Sequence, residues 1–275
     1  MREKFKIKDY YSPLFVILII LGFYIASYYV DIKSIYGIRD WMVNHEDFNV
    51  PFLWNYLFSE GAVVGIMRWS LIGLFTITSA YNAGMLRLKK KNKEHLFWLL
   101  FAILGILMIM EDAGRIRHFL TTRFVLVFWD KKTYQIITEI IYFSLMASVP
   151  VIALLKYGKY IFRHKRTGIF LFIGCALYGI AAFMNATRDI MYWFQTAGDI
   201  IYHFTVGLGG PELEQVYEQT NEYLVQYGYM TISYRFMDAL IEDTIEVIAI
   251  SFLWASALSY RDFIISKFTS KEGSS

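Results

Sequence analysis

Apolar residues gather in long runs, and polar residues gather between them. The runs cover 14–30, 62–84, 96–118, 134–155, 167–187 and 230–260, with 96–110 apolar throughout. A helix needs ~17–25 such residues to cross a bilayer. The pattern therefore predicts an all-α fold, a polytopic transmembrane helix bundle of six spans in a single domain over 1–265. Segments 31–61 and 190–229 are expected as outer loops, and 266–275, which ends in Gly273, Ser274 and Ser275, as a flexible tail. The first run lacks a clean small-residue cleavage site, so it reads as a retained helix rather than a signal peptide. Pro150 sits inside the fourth run and predicts a kink there.

Within 190–229 the pattern changes. Pro211 suits a first helical turn. Leu213, Val216, Tyr217, Thr220, Tyr223 and Leu224 follow at helical spacing, with Glu212, Glu214, Glu218 and Glu222 on the remaining surface. This predicts an amphipathic helix on the outer face. Residues 191–206, with Trp193 and Phe194, are a candidate seventh, re-entrant or interfacial segment.

Charge orients the bundle. Arg87, Lys89, Lys90, Lys91 and Lys93 lie between runs two and three. Lys156, Lys159, Arg163, Lys165 and Arg166 lie between runs four and five. Arg2, Lys4, Lys6 and Lys8 precede the first run, and Arg261, Lys267 and Lys271 follow the last. Basic residues concentrate on the cytoplasmic side of membrane proteins, so both termini are expected in the cytoplasm. The expected location is the plasma membrane, or the inner membrane of a bacterium.

Composition removes other classes. Of 275 residues 56% are hydrophobic, which leaves little chain for a soluble domain. The net charge of +3 is too slight to imply a nucleic-acid partner. A lone Cys175 excludes an internal disulfide. The last run has no lysine for a retinal Schiff base, and no Gly-rich turn marks a dinucleotide site. HExxH and the paired Glu-x-x-His of a di-iron bundle are also absent.

Ionisable residues inside the runs are the unusual feature, because charge in a bilayer is costly and tends to mark a functional site. At ~1.5 Å per residue, Arg68, Glu111, Asp112, Glu139, Asn185, Glu242 and Asp243 fall ~22–27 Å from the cytoplasmic ends. That is the outer half of a hydrocarbon core ~30 Å thick. Spacing groups them further. Glu111, Arg115, His118 and Thr122 form one stripe; Asn185, Arg188 and Asp189 form a second; Arg235, Asp238, Glu242 and Glu246 form a third. Arg68, Thr76, Ser79 and Asn82 share a face of the second span. Carboxylates outnumber arginines in these stripes, and the surplus must be met by protons, cations or water.

Two chemistries use such a surplus. In the first, Glu111, Asp112, His118, Asp189, Glu242, Asp243 and Glu246 supply oxygen and nitrogen ligands to a divalent cation (Ca, Mg, Mn or Zn), or exchange protons, for transport or conduction. In the second, a metal-dependent hydrolase or lipid-modifying enzyme acts on a lipid or isoprenoid. Glu139 would then be its catalytic carboxylate, and Arg115 and Arg188 would hold an oxyanion. His203 is a further nitrogen ligand in that scheme. A third class is a non-catalytic ligand-binding or assembly protein. The partners implied are membrane lipid and a small cation or lipid substrate; the pattern carries no signal for an oligomeric state. The plainest reading beside these is structural. Arg68 neutralises one carboxylate, and Asn185 ties two helices together.

Overall fold

The computed structural model describes residues 11–44, 50–59, 61–88, 92–116, 119–120, 132–188 and 192–272. The chain is 90% helical with no sheet among the described residues. Five helical stretches are long and apolar enough to cross a membrane: Tyr11–Ile32, Leu53–Leu88, Lys93–Asp112, Ile140–Ile161 and Lys165–Thr187.

Their outer faces explain the composition. On α1 (Tyr11–Ser27) the exposed side chains include Leu14, Leu18, Leu21 and Ile25, while Val16 and Ile20 face inward. On α5 (Asn92–Asp112) the exposed stripe is Leu99, Ile103, Ile106 and Met110. Both stripes step by three and four residues, so each helix keeps one continuous apolar face outside the protein. Scattered exposed apolar residues are ordinary, but contiguous stripes of this length belong against another apolar phase.

The chain divides into two compact units. The first holds 1–14, 68–182 and 248–275, and the second holds 15–67 and 183–247.

The first unit is built around the C-terminal helix. It combines most of α4 (Val63–Leu88), α5, α6 (Lys132–Ile161), most of α7 (Lys165–Thr187) and the greater part of α11 (Asp243–Glu272). Within it α11 is buried on several sides through Ala249, Ile250, Leu253, Ala257 and Tyr260. Asn82 of α4 donates to the Ala257 carbonyl at 2.8 Å. Tyr260 donates to Glu94 of α5 at 3.0 Å and stacks near Trp98 at 5.1 Å. Gly174 of α7 lies so close that a Cβ there would meet the Leu253 amide nitrogen at 2.9 Å. A helix wrapped by helices keeps its side chains inside the protein, so Ser251, Ser256 and Ser259 are tolerated in it. For the same reason α11 is not among the five apolar stretches. On the other side α6 packs along α5 and leaves Ile140, Ile141, Leu145 and Leu155 exposed. Pro150 is accommodated within a continuous α6.

Of the expected third span, 96–118, helix α5 covers the part up to Asp112, just past the apolar core that ends at Met110. Helix α5 stops at Asp112, where the amides of Ala113 and Gly114 both bond the Ile109 carbonyl. Arg115 follows in the left-handed region at φ +47°. Glu111 and Arg115 therefore do not share a helical stripe; His118 and Thr122 lie outside the described residues. The turn wins because Gly114 packs against the Met110 carbonyl, 2.4 Å from where a Cβ would stand.

The second unit is more compact than a set of loops. The described residues of segments 31–61 and 190–229 are largely helical. They form α2 (Ile38–Val43), α3 (Leu53–Phe58), α8 (Trp193–Gly209) and α9 (Pro211–Gln226), followed by α10 (Ile232–Arg235). Phe52, Trp54, Tyr217 and Phe236 make an aromatic core, with ring centroids 4.8 to 6.0 Å apart along the chain of contacts. Helix α9 follows its sequence pattern: Leu213, Tyr217, Thr220 and Leu224 are buried, and its four glutamates are exposed. Burial pushes the Tyr217 phenol above its ordinary range, so its hydroxyl stays protonated beside Thr205.

Asp31 organises this unit. It sits in a π turn, Tyr28–Ile32, at the end of α1 and is 1% exposed. Its carboxylate accepts the amides of Leu53 at 2.7 Å and Trp54 at 3.0 Å. Those are the first amides of α3, whose own N-cap residue Phe52 makes no side-chain cap. A carboxylate there satisfies two orphan donors and meets the positive end of the helix. Arg39 bonds the Asp31 carbonyl at 3.3 Å and pairs with Asp40 at 3.1 Å.

Candidate functional site

Four of the candidate polar residues, Asn185, Arg188, Asp238 and Glu242, meet at a break in helix geometry. Between α10 and α11, Phe236–Glu242 is wound as π-helix. Such segments shift the hydrogen-bond register and recur at functional sites. Tyr24 exploits the shift: its hydroxyl donates to the Leu240 carbonyl at 2.9 Å and lies 3.0 Å from the Thr244 hydroxyl. The turn carries Asp238 and Glu242 toward Asn185 and Arg188 at the end of α7.

Glu242 is 4% exposed. Asn185 donates Nδ2 to its Oε1 at 2.7 Å. The second carboxylate oxygen, Oε2, is buried with no hydrogen-bond partner, and so is Asn185 Oδ1. One turn away Arg188 pairs with Asp238 at 2.5 Å. The charges acting on Glu242 are Glu246 and Asp238, which repel it, and Arg188, which attracts it. Met184, Phe194 and Met237 form an apolar cluster flanked by Ile241 and Ile245. An ionised oxygen in such surroundings costs several kcal/mol unless something meets it.

A second polar contact lies in the first unit. Arg68 is buried and grips Asp112 with two bonds, Nε to Oδ2 at 2.7 Å and Nη2 to Oδ1 at 2.5 Å. This two-pronged geometry is the strong form of the arginine–carboxylate pair. On the same face of α4, Ser79 and Asn82 are fully buried.

The remaining candidates are placed as follows. Glu111 is half-buried at the end of α5, and Arg115 is exposed after it. Asp243 and Glu246 are half-buried in the first turn of α11. Arg235 feels the charge of Asp238, its neighbour in the expected stripe, but its hydrogen bonds go elsewhere. Its guanidinium instead meets the Met230 carbonyl at 3.3 Å and Asn55 at 3.4 Å. His203 is exposed on α8. Glu139 lies in α6, its side chain outside the described residues, as are His118 and Asp189. Among the described residues, no three His, Cys, Asp or Glu side chains form a group placed to hold a metal ion.

Two residues with structural weight escaped the pattern. Asp31 reads as the polar end of an apolar run, and its partners lie 22 and 23 residues away. Tyr24 reads as one aromatic among many. Its hydroxyl has a use only once Leu240 enters a π turn.

Comparison with protein-family models, with curated proteins and with solved structures finds no match to this chain.

Proposed function

We propose an integral membrane protein of six spans, both termini cytoplasmic, that binds a proton or small cation at Glu242 and Asn185 for transport or conduction. In this reading the sixth span is the helix through Glu242, and α9 is the outer amphipathic helix. The observation that carries the site is the pair of orphaned oxygens, Glu242 Oε2 and Asn185 Oδ1. Both are acceptors on side chains already joined by one hydrogen bond. A proton on Oε2 turns that oxygen into a donor, for which Asn185 Oδ1 is an unmet acceptor on the neighbouring side chain. One proton then satisfies both atoms, and the acid and the amide close a reciprocal pair. A small cation between the two oxygens is the competing occupant. Arg188 and Asp238 pair with each other beside the site, and Glu246 adds a negative charge that favours a proton or cation there.

Flux decides it. The protein is reconstituted in vesicles holding a pH-sensitive dye, and a gradient of protons, sodium or potassium is imposed. The wild type is expected to move protons under at least one gradient, and Glu242→Leu to lose that movement. Equal flux in both, or none in a folded wild type under any gradient, overturns transport through Glu242.

A further inference from the structure

The exposed face of α8 has no role in the Glu242 site, yet its chemistry is distinct. Ile200, Phe204 and Leu208 recur at four-residue spacing and are 68%, 66% and 38% exposed. The helix cannot turn this face inward. On its opposite side Gly198 lies against the backbone of Ser233, where a Cβ would come within 1.9 Å of the carbonyl oxygen. Phe194 is fully buried on that side, and Tyr202 packs on Tyr217 of α9 at 5.3 Å. The C-terminal end of α8 is also tied down. Lys33, just past the end of the first apolar stretch, donates to the Leu208 carbonyl at 3.0 Å.

Charge separates α8 from α9. In its 17 residues α8 carries one carboxylate, Asp199, and one histidine, His203. The 16 residues of α9 carry four glutamates and no base, all on its exposed face. An acidic surface is repelled by anionic lipid headgroups, whereas an apolar stripe on an amphipathic helix settles among acyl chains. Aromatic residues at the start of α8, Tyr192 and Trp193, are of the kind that anchor at the membrane–water boundary. A second copy of the chain is the poorer occupant. Three partly covered side chains fall short of the ~800 Å² per partner of a standard interface.

We infer that α8 lies in the interfacial zone of the bilayer with Ile200, Phe204 and Leu208 among lipid chains, and that α9 stands beyond it in water. The seventh apolar segment is thus an anchor and not a span. It fixes the outer end of the first span, through Lys33, to the segment that leads into the Glu242 turn. This assignment is independent of proton binding and survives its failure.

Nitroxide accessibility tests it. In full-length Cys175→Ser protein, single cysteines replace Ile200, Phe204 or Glu218, are spin-labelled, and are studied in phosphatidylcholine vesicles. Labels at 200 and 204 are expected to favour collision with oxygen over a water-soluble nickel chelate severalfold more than the label at 218. A ratio at 204 equal to that at 218 places the stripe in water and overturns the inference. Exclusion of both relaxers at 200 and 204 places it against protein and overturns it too.

Discussion

Glu242→Gln separates an acid from a carboxylate at the one buried position where the difference is decisive. Glutamine keeps the oxygen that accepts from Asn185 Nδ2 and replaces Oε2 with an amide donor. It thereby supplies permanently the donor that a proton supplies in the wild type. Near neutral pH its unfolding free energy should match wild type within ~0.5 kcal/mol, the usual spread of a substitution that leaves contacts intact. Glu242→Leu is the contrast. It strips the Asn185 amide of its partner and leaves buried polar groups unmet at ~1–3 kcal/mol each, or about 2–6 kcal/mol in all. The pH dependence carries the sign. A folded state that keeps a proton which the unfolded chain releases binds more protons, so stability falls as pH rises. The slope approaches ~1.4 kcal/mol per pH unit while one such proton is retained. Other groups add their own slopes to both proteins, so the difference between wild type and Gln isolates Glu242. Denaturant unfolding in detergent at stepped pH measures it. The reasoning fails if Gln is ~2 kcal/mol less stable than wild type at neutral pH and Leu is no worse. That pattern would mean an ionised carboxylate whose role an amide cannot fill.

Five further substitutions probe the fold. Removing one partner of the Arg68–Asp112 pair, by Arg68→Leu or Asp112→Leu, should cost ~3–5 kcal/mol, and the double variant clearly less than the sum; strict additivity in a double-mutant cycle would mean the two-pronged pair is not coupled. Gly198→Ala drives a methyl into the Ser233 carbonyl and should cost ~1–3 kcal/mol or more. Gly207→Ala, with nothing within 4 Å, should be neutral or stabilising by ~0.4–1 kcal/mol, so equal melting shifts for the two would contradict the close approach. Asp31→Ala orphans the amides of Leu53 and Trp54, which at ~1–3 kcal/mol each predicts a loss of roughly 2–6 kcal/mol; a loss below ~0.5 kcal/mol by thermal unfolding would show that Asp31 does not hold α3.

What the sequence made legible follows from which forces are local. Apolar run length and the faces of α1 and α9 depend on spacing alone, and their helices appear where the periodicity put them. The end of α5 was missed because Glu111, Arg115 and His118 stand at helical spacing while the backbone turns at Gly114. Hydropathy is blind to that turn. Segment 31–61 reads as a loop because its helices are short, whereas within 190–229 spacing gave α9 and left the role of 191–206 open. Both segments are stabilised by an aromatic core contributed by Phe52, Trp54, Tyr217 and Phe236, residues far apart in the chain. Spacing placed Asn185 with Arg188, and Asp238 with Glu242, on common faces. It carried no information on which faces meet, and the π turn that pairs them has no local signature. Arg235 shows the cost of that blindness, since its hydrogen-bond partners, Met230 and Asn55, lie off the stripe.

Infrared difference spectroscopy of the Glu242 side chain tests the central claim most directly. A protonated carboxyl and a carboxylate absorb in separate regions, and only the former shifts with deuterium on its oxygen. In wild-type protein at neutral pH the account predicts a deuterium-sensitive carboxyl C=O band that Glu242→Gln abolishes and Asn185→Leu moves. A spectrum at neutral pH in which wild type and Glu242→Gln show the same carboxyl bands would contradict it.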